Sequence, residues 1–167
     1  MRELMDELSR TAPADGTYRV YLVGGATAVV EGWRAATIDA DLHADRQDVF
    51  RGVPAIRERL GLNIELARPE KFVPPIAGSA DRHVFIERVG DVEFFHYDPY
   101  AQLFSKIVRG FRKDLLDAER FVRGGMVDPG RLRQLLRAIP DSAYAMHPNL
   151  DREAVENAVE DFFASLE

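Results

Sequence analysis

Two glycines, Gly24 and Gly25, close an apolar run. Thirteen residues later, after Ala26 to Ile38, Asp39 and Asp41 stand one residue apart. No other feature of the chain restricts its fold so strongly. "TYRVYLV", before and into the first glycine, reads as a buried strand of β-branched and aromatic residues. "ATAVVEGW" reads as a short helix that stops near Gly32. "ATIDADLHA" alternates Ile38, Ala40 and Leu42 with Asp39 and Asp41, which is the period of a strand. The order is therefore strand, glycine turn, helix, strand. On the second strand both carboxylates face the same way, roughly 6.5–7 Å apart along the chain.

The remaining sequence extends this pattern and then changes it. Arg2 to Arg10 carries Leu4, Met5 and Leu8 at helical spacing. "DVFRGVPAIRERLG" reads as a helix closed by Gly61, and "LNIELAR" as a short strand. "PEKFVPPIAGSAD" is a proline-rich loop, and "RHVFIERVGDVEFFHYDP" reads as two strands joined by a tight turn at Val89-Gly90-Asp91. Only helices follow: "PYAQLFSKIVRG" after a capping Asp98, then "DLLDAERFVRGG", "DPGRLRQLLRAI" and "DREAVENAVEDFFASL". The expected class is α+β, a mixed sheet flanked by helices with a helical C-terminal part. Residues 1–100 are expected to form the core, with 101–167 packed on it as one structural unit.

At 167 residues the chain suits a single domain, and without cysteine it has no disulfide framework and no thiolate metal site. No apolar run approaches the roughly 18 residues of a membrane helix. "MRELMDELSR" lacks the apolar core of a signal peptide, so a cytoplasmic protein with no membrane partner is expected. The net charge of −6 argues against a protein that coats nucleic acid along its whole surface. The bases are uneven, however. Lys106, Arg109, Arg112, Lys113, Arg120, Arg123, Arg131, Arg133 and Arg137 crowd one segment, which leaves room for a local basic groove.

Two carboxylates on one strand face repel unless a cation lies between them. Mg²⁺ or Mn²⁺ answers that need, because Mg²⁺ takes oxygen ligands and binds through one or two carboxylates together with substrate phosphates. Glycines let a backbone approach a ligand closely, and the start of a helix offers free amides. Together these parts make a place for a nucleoside triphosphate and its metal.

The string Val23-Gly24-Gly25, thirteen residues, then Asp39-Ala40-Asp41-Leu42 resembles the signature of the polymerase-β-like nucleotidyltransferase superfamily. Arg34 and Thr37 ahead of the aspartates, and "KIVRGFRKDLLDAERFV" downstream, are similar to its AbiEii-type branch, which includes MenT toxins of toxin–antitoxin pairs. The resemblance spans most of residues 18–125. It implies a nucleotidyltransferase-type sheet and Mg²⁺-dependent transfer of a nucleoside monophosphate to an acceptor hydroxyl. It further implies the 3′ end of tRNA as acceptor and a cognate antitoxin as partner. Carried over to this chain, it makes Asp39 and Asp41 the metal ligands and seats the phosphates at Gly24 and Gly25. It gives Lys106, Asp114 and Asp117 catalytic roles, with Arg109 or Arg112 beside them. Thr27, Arg34, Thr37 and Arg109 are then the nucleotide-binding candidates, and Glu93 is the candidate for the third metal-binding carboxylate that wider relatives use. Where the branch often has Ser or Thr directly after the glycines, this chain has Ala26, with Thr27 one place later.

Plainer readings stand beside these. Asp114 could cap a helix, Asp117 could pair with Arg120 or Arg112, and Lys106 could be a surface lysine on an amphipathic helix. His43 shares a strand face with Asp41 and borders the site if the strand continues. Two rival functions stay open: a nucleotidyltransferase with a small-molecule or protein acceptor, and a binding module that keeps the fold without catalysis.

Overall fold

The computed structural model describes residues 1–166, and its contacts divide the chain into two compact units. The first comprises Met1–Arg68 and His83–Tyr97; the second comprises Pro69–Arg82 and the chain from Asp98 onward.

The first unit runs α1 (Arg2–Thr11), β1 (Tyr18–Val23), α2 (Gly25–Val30), β2 (Asp39–Ala44), α3 (Val53–Leu60), β3 (Asn63–Leu66), β4 (Val84–Val89) and β5 (Val92–His96). The strands form one five-stranded sheet in the order β3-β2-β1-β5-β4. β1 lies antiparallel to β2 and parallel to β5, β2 is parallel to β3, and β4 is antiparallel to β5. This is the mixed sheet of an α+β fold. Alternation decides which face is buried. In β2, Ala40, Leu42 and Ala44 are buried and Asp39, Asp41 and His43 are half-buried on the other face. The apolar face joins Val20, Leu22, Phe94 and Ile64 to the Leu4, Met5 and Leu8 stripe of α1 in one hydrophobic cluster.

The strand expected from Ala36 begins at Asp39, and Ile38 is 71% exposed instead of lying on the core face. The cause is local. The Thr37 hydroxyl donates to the Asp39 carbonyl at 2.9 Å and accepts from the Asp39 amide at 3.2 Å, so the chain turns before it extends.

The second unit is helical: α4 (Pro99–Arg109), α5 (Arg112–Arg123), α6 (Pro129–Arg137), α7 (Asp141–Tyr144) and α8 (Arg152–Ala164). Asp98, Asp128 and Asp151 cap α4, α6 and α8 by accepting from backbone amides in the first turn. α4 packs against α5 and α8, with Leu103, Phe104, Ala118, Phe121, Val159 and Phe163 buried. The proline-rich loop is tied to α4 by Arg82, which donates to the fully buried Asp98 carboxylate at 2.6 and 3.0 Å. Among the described residues no helix is long and apolar enough to cross a membrane.

Candidate active site

Gly24 separates β1 from α2 at φ 58°, ψ −120°, backbone that side-chain-bearing residues avoid. A Cβ built on it would lie 2.9 Å from Asp41 Oδ2. The turn therefore approaches the carboxylate as closely as it does because the residue is glycine. Antiparallel pairing explains the meeting: Val23, the last residue of β1, lies opposite Asp41. Gly25 makes a second close approach. A Cβ there would lie 2.9 Å from Thr37 Oγ1 and 3.1 Å from the Asp39 carbonyl oxygen. Five expected residues thus gather at one end of the sheet: Gly24, Gly25, Thr37, Asp39 and Asp41. Asn63, which the sequence reading did not single out, donates to Asp39 Oδ1 at 3.2 Å across the β2–β3 register and orients that carboxylate.

The donor set suits a hard cation. Two carboxylates share one face, and the Gly24 backbone packs close against Asp41. Among the described residues no three His, Cys, Asp or Glu side chains form a group that could hold a metal ion. Glu93, expected as the third ligand, is displaced by register. It pairs with Arg19, four residues before Val23, and Arg19 Nε approaches its Oε2 at 3.4 Å. It shares the face of the aspartates and lies toward the opposite end of the strands. The sequence could show its parity but not the pairing offset.

Thr27 also takes a different place. It is fully buried, and its hydroxyl meets the Leu22 carbonyl at 3.1 Å and His96 Nδ1 at 3.3 Å. Its buried hydroxyl holds α2 to the sheet. Arg34 is half-buried, and its amide bonds back to the Ala28 carbonyl where α2 ends. α2 is only six residues long, so phosphate contacts would come from the glycine turn and owe little to a helix dipole.

A separate cluster lies within the helical unit. Lys106 of α4 contacts Asp117 at 2.8 Å and Asp114 at 3.3 Å, and all three side chains are at least nine-tenths buried. Arg109 Nε approaches Asp114 Oδ2 at 3.2 Å, and its guanidinium lies 4.8 Å from the Phe72 ring centroid. The cap of α5 is Phe111, so Asp114 sits inside the first turn and does not cap the helix. Asp117 pairs with Lys106, where the plainer reading offered Arg112 or Arg120. Helical spacing brings Asp114 and Asp117 to one side of α5, facing Lys106. The lysine thus has two protein partners where the resemblance implies a phosphate.

The aspartate face continues into an aromatic group. Tyr21 packs on His83 at 4.3 Å between centroids and on His43 at 5.8 Å, and its hydroxyl donates to Asp45 at 3.0 Å. Burial and that carboxylate push the Tyr21 hydroxyl up to about 12. Burial pulls His43 and His96 below the ordinary histidine value of 6.5; for His43, Arg68 adds to the effect. Both are neutral at pH 7. The unfolded chain takes up these protons near 6.5, and the folded chain does so only at lower pH. Between those points the unfolded state binds more protons, so stability is full above 6.5 and falls as pH drops toward the folded values. Thermal midpoints measured from pH 7.5 to 5.0 should decline below 6.5, and His96→Phe should flatten that decline.

Gly24→Ala tests the turn. It should cost about 1–3 kcal/mol of stability through backbone strain alone. If the turn seats a nucleotide as the sequence leads one to expect, collision with Asp41 should also weaken nucleotide binding by roughly tenfold. Gly32→Ala is the control: Gly32 also has positive φ, 71°, but no atom lies within 4 Å of its added Cβ. It should lose stability and keep nucleotide affinity. Thermal melts and nucleotide titrations on both variants separate strain from collision.

A family model described as "Nucleotidyltransferase of unknown function (DUF6036)" matches residues 1–166. No curated protein and no solved structure matches the chain.

Proposed function

The chain belongs to this nucleotidyltransferase family over nearly its whole length, and on that premise we propose that it transfers a nucleoside monophosphate from an NTP to the 3′ end of tRNA as the toxin of a toxin–antitoxin pair. The transfer depends on Mg²⁺ or Mn²⁺. One observation carries the reading: the side-chain-free turn at Gly24 lies against the Asp41 carboxylate, with Asp39 on the same strand face. Asp39 and Asp41 would hold the divalent cation. When bound, the cation polarises the attacked phosphoryl group and neutralises the charge that develops on it. Gly24 and Gly25 admit the triphosphate to the backbone, where a side chain would exclude it. Asn63 keeps Asp39 aimed at the site.

The tRNA acceptor and the toxin role rest on the AbiEii-type resemblance of "KIVRGFRKDLLDAERFV" and on the basic segment from Lys106 to Arg137. A second reading, a small-molecule or protein acceptor, draws on how those bases are used. Lys106, Arg109, Arg123 and Arg133 all pair with carboxylates, which leaves fewer charges for phosphates. Incubation with α-labelled NTPs and Mg²⁺ or Mn²⁺ tests the proposal, with total RNA, a small-molecule extract and the protein itself as acceptors. Label in tRNA is the expected result. Label in a small molecule or in protein selects the second reading, and no label in any fraction removes both.

A further inference from the structure

Behind the glycine turn, on the core side of the sheet, a single imidazole spans the length of α2. His96 is the last residue of β5, opposite Leu22 of β1, and its side chain is 3% exposed. Its Nδ1 lies 3.3 Å from Thr27 Oγ1, and its Nε2 lies 2.7 Å from Glu31 Oε1. Thr27 and Glu31 are one helical turn apart, and the Glu31 amide donates to the Thr27 carbonyl at 3.0 Å. The ring therefore grips α2 near its start and at its C-terminal cap.

α2 needs such a grip. A six-residue helix is far too short to persist on its own propensity, and no side chain caps its N-terminus. Its position follows from tertiary ties, and that position sets where Gly24 and Gly25 stand relative to Asp41 and Asp39. Among the described residues Glu31 is the one charged group that acts on the ring, while Thr27 on α2 and Val84, its neighbour on β4, are neutral. In the neutral ring Nε2–H donates to Glu31, while Nδ1 lies against the Thr27 oxygen, whose hydroxyl donates to the Leu22 carbonyl and so ties α2 to β1 at the same point.

We propose that His96 is a positioning residue for the glycine turn, holding α2 in place through Thr27 and Glu31 so that the turn meets the aspartate pair. The role in nucleotide binding rests on the function proposed above; the positioning of the turn does not.

The experiment uses ¹⁵N-labelled full-length protein and reads both. At neutral pH the imidazole nitrogens of His96 should show the Nε2–H tautomer in wild type and lose that preference in Glu31→Ala. Amides of Gly24, Gly25 and Ala28 should shift, and exchange with solvent at least roughly tenfold faster, in His96→Phe and Glu31→Ala. Glu31→Gln, which keeps an acceptor, should restore them. Amides of α1 should change little, which separates a local shift from general loosening. MgATP titration of the same samples should give weaker binding in His96→Phe and recovery in Glu31→Gln. If wild type binds no nucleotide, the proposed function fails while the amide result still decides the positioning role. Wild-type amide shifts and exchange at Gly24 and Gly25 in a folded His96→Phe would overturn the inference, as would an Nδ1–H tautomer in wild type.

Discussion

Asp39→Asn and Asp41→Asn should each reduce nucleotidyl transfer by at least about 10³-fold, the scale seen when a main electrostatic element of phosphoryl transfer is removed. Neither should lower the melting temperature. Asparagine keeps the shape of the side chain and one acceptor oxygen, and both positions are half-buried, so packing is unchanged. What disappears is the charge that draws in a cation. Activity should therefore collapse while the protein still folds. Ligand linkage gives a second measure. Mg²⁺ with nucleotide should raise the melting temperature of wild type and leave both variants unmoved. Incorporation of labelled NTP and paired thermal melts check the two halves. Wild-type incorporation in either variant would remove the carboxylate pair from the mechanism. A large stability loss would show that the acids serve the fold.

Lys106→Met should produce the opposite pattern, a loss dominated by folding. The substitution leaves Asp117, 2% exposed, without its 2.8 Å cation. Asp114 retains Arg109 at 3.2 Å. Removing one partner of a buried ion pair costs about 3–5 kcal/mol. For a chain of this size that is a fall of roughly 6–20 °C in melting temperature. Replacing both partners by apolar residues of similar volume is close to neutral in other buried pairs. Lys106→Met with Asp117→Leu should accordingly melt near wild type. Urea and thermal denaturation of the single and double variants check this, and a single variant that melts like wild type would refute it. Incorporation assays on the stable double variant then separate the catalytic roles that the resemblance implies for Lys106 and Asp117 together from their structural tie.

Some of the site could be read along the chain and some could not. Gly24-Gly25 and Asp39-x-Asp41 were legible because each rests on local rules: a turn residue at a strand end, and a period of two that turns two acids to one face. Their meeting needed only short-range antiparallel pairing of β1 with β2. Glu93 shows where local rules stop. Its alternation with Phe95 and Tyr97 gave the correct face, yet the register against β1 placed it beside Arg19. Thr27 looked like a hydroxyl offered to phosphate because it follows the glycines; helix rotation turned it inward to Leu22 and His96.

By itself the sequence determined the α+β order of elements, the glycine turn, the acid pair and the caps at Asp98 and Gly61, since each depends on residues within a few positions of one another. Tertiary structure alone decided that Glu93 stands beside Arg19, which acids hold Lys106, and that His96 ties to both Thr27 and Glu31 of α2. Those outcomes depend on strand register and on the rotation of packed helices, which bring together side chains as far apart as Thr27 and His96 and leave no periodic trace along the chain.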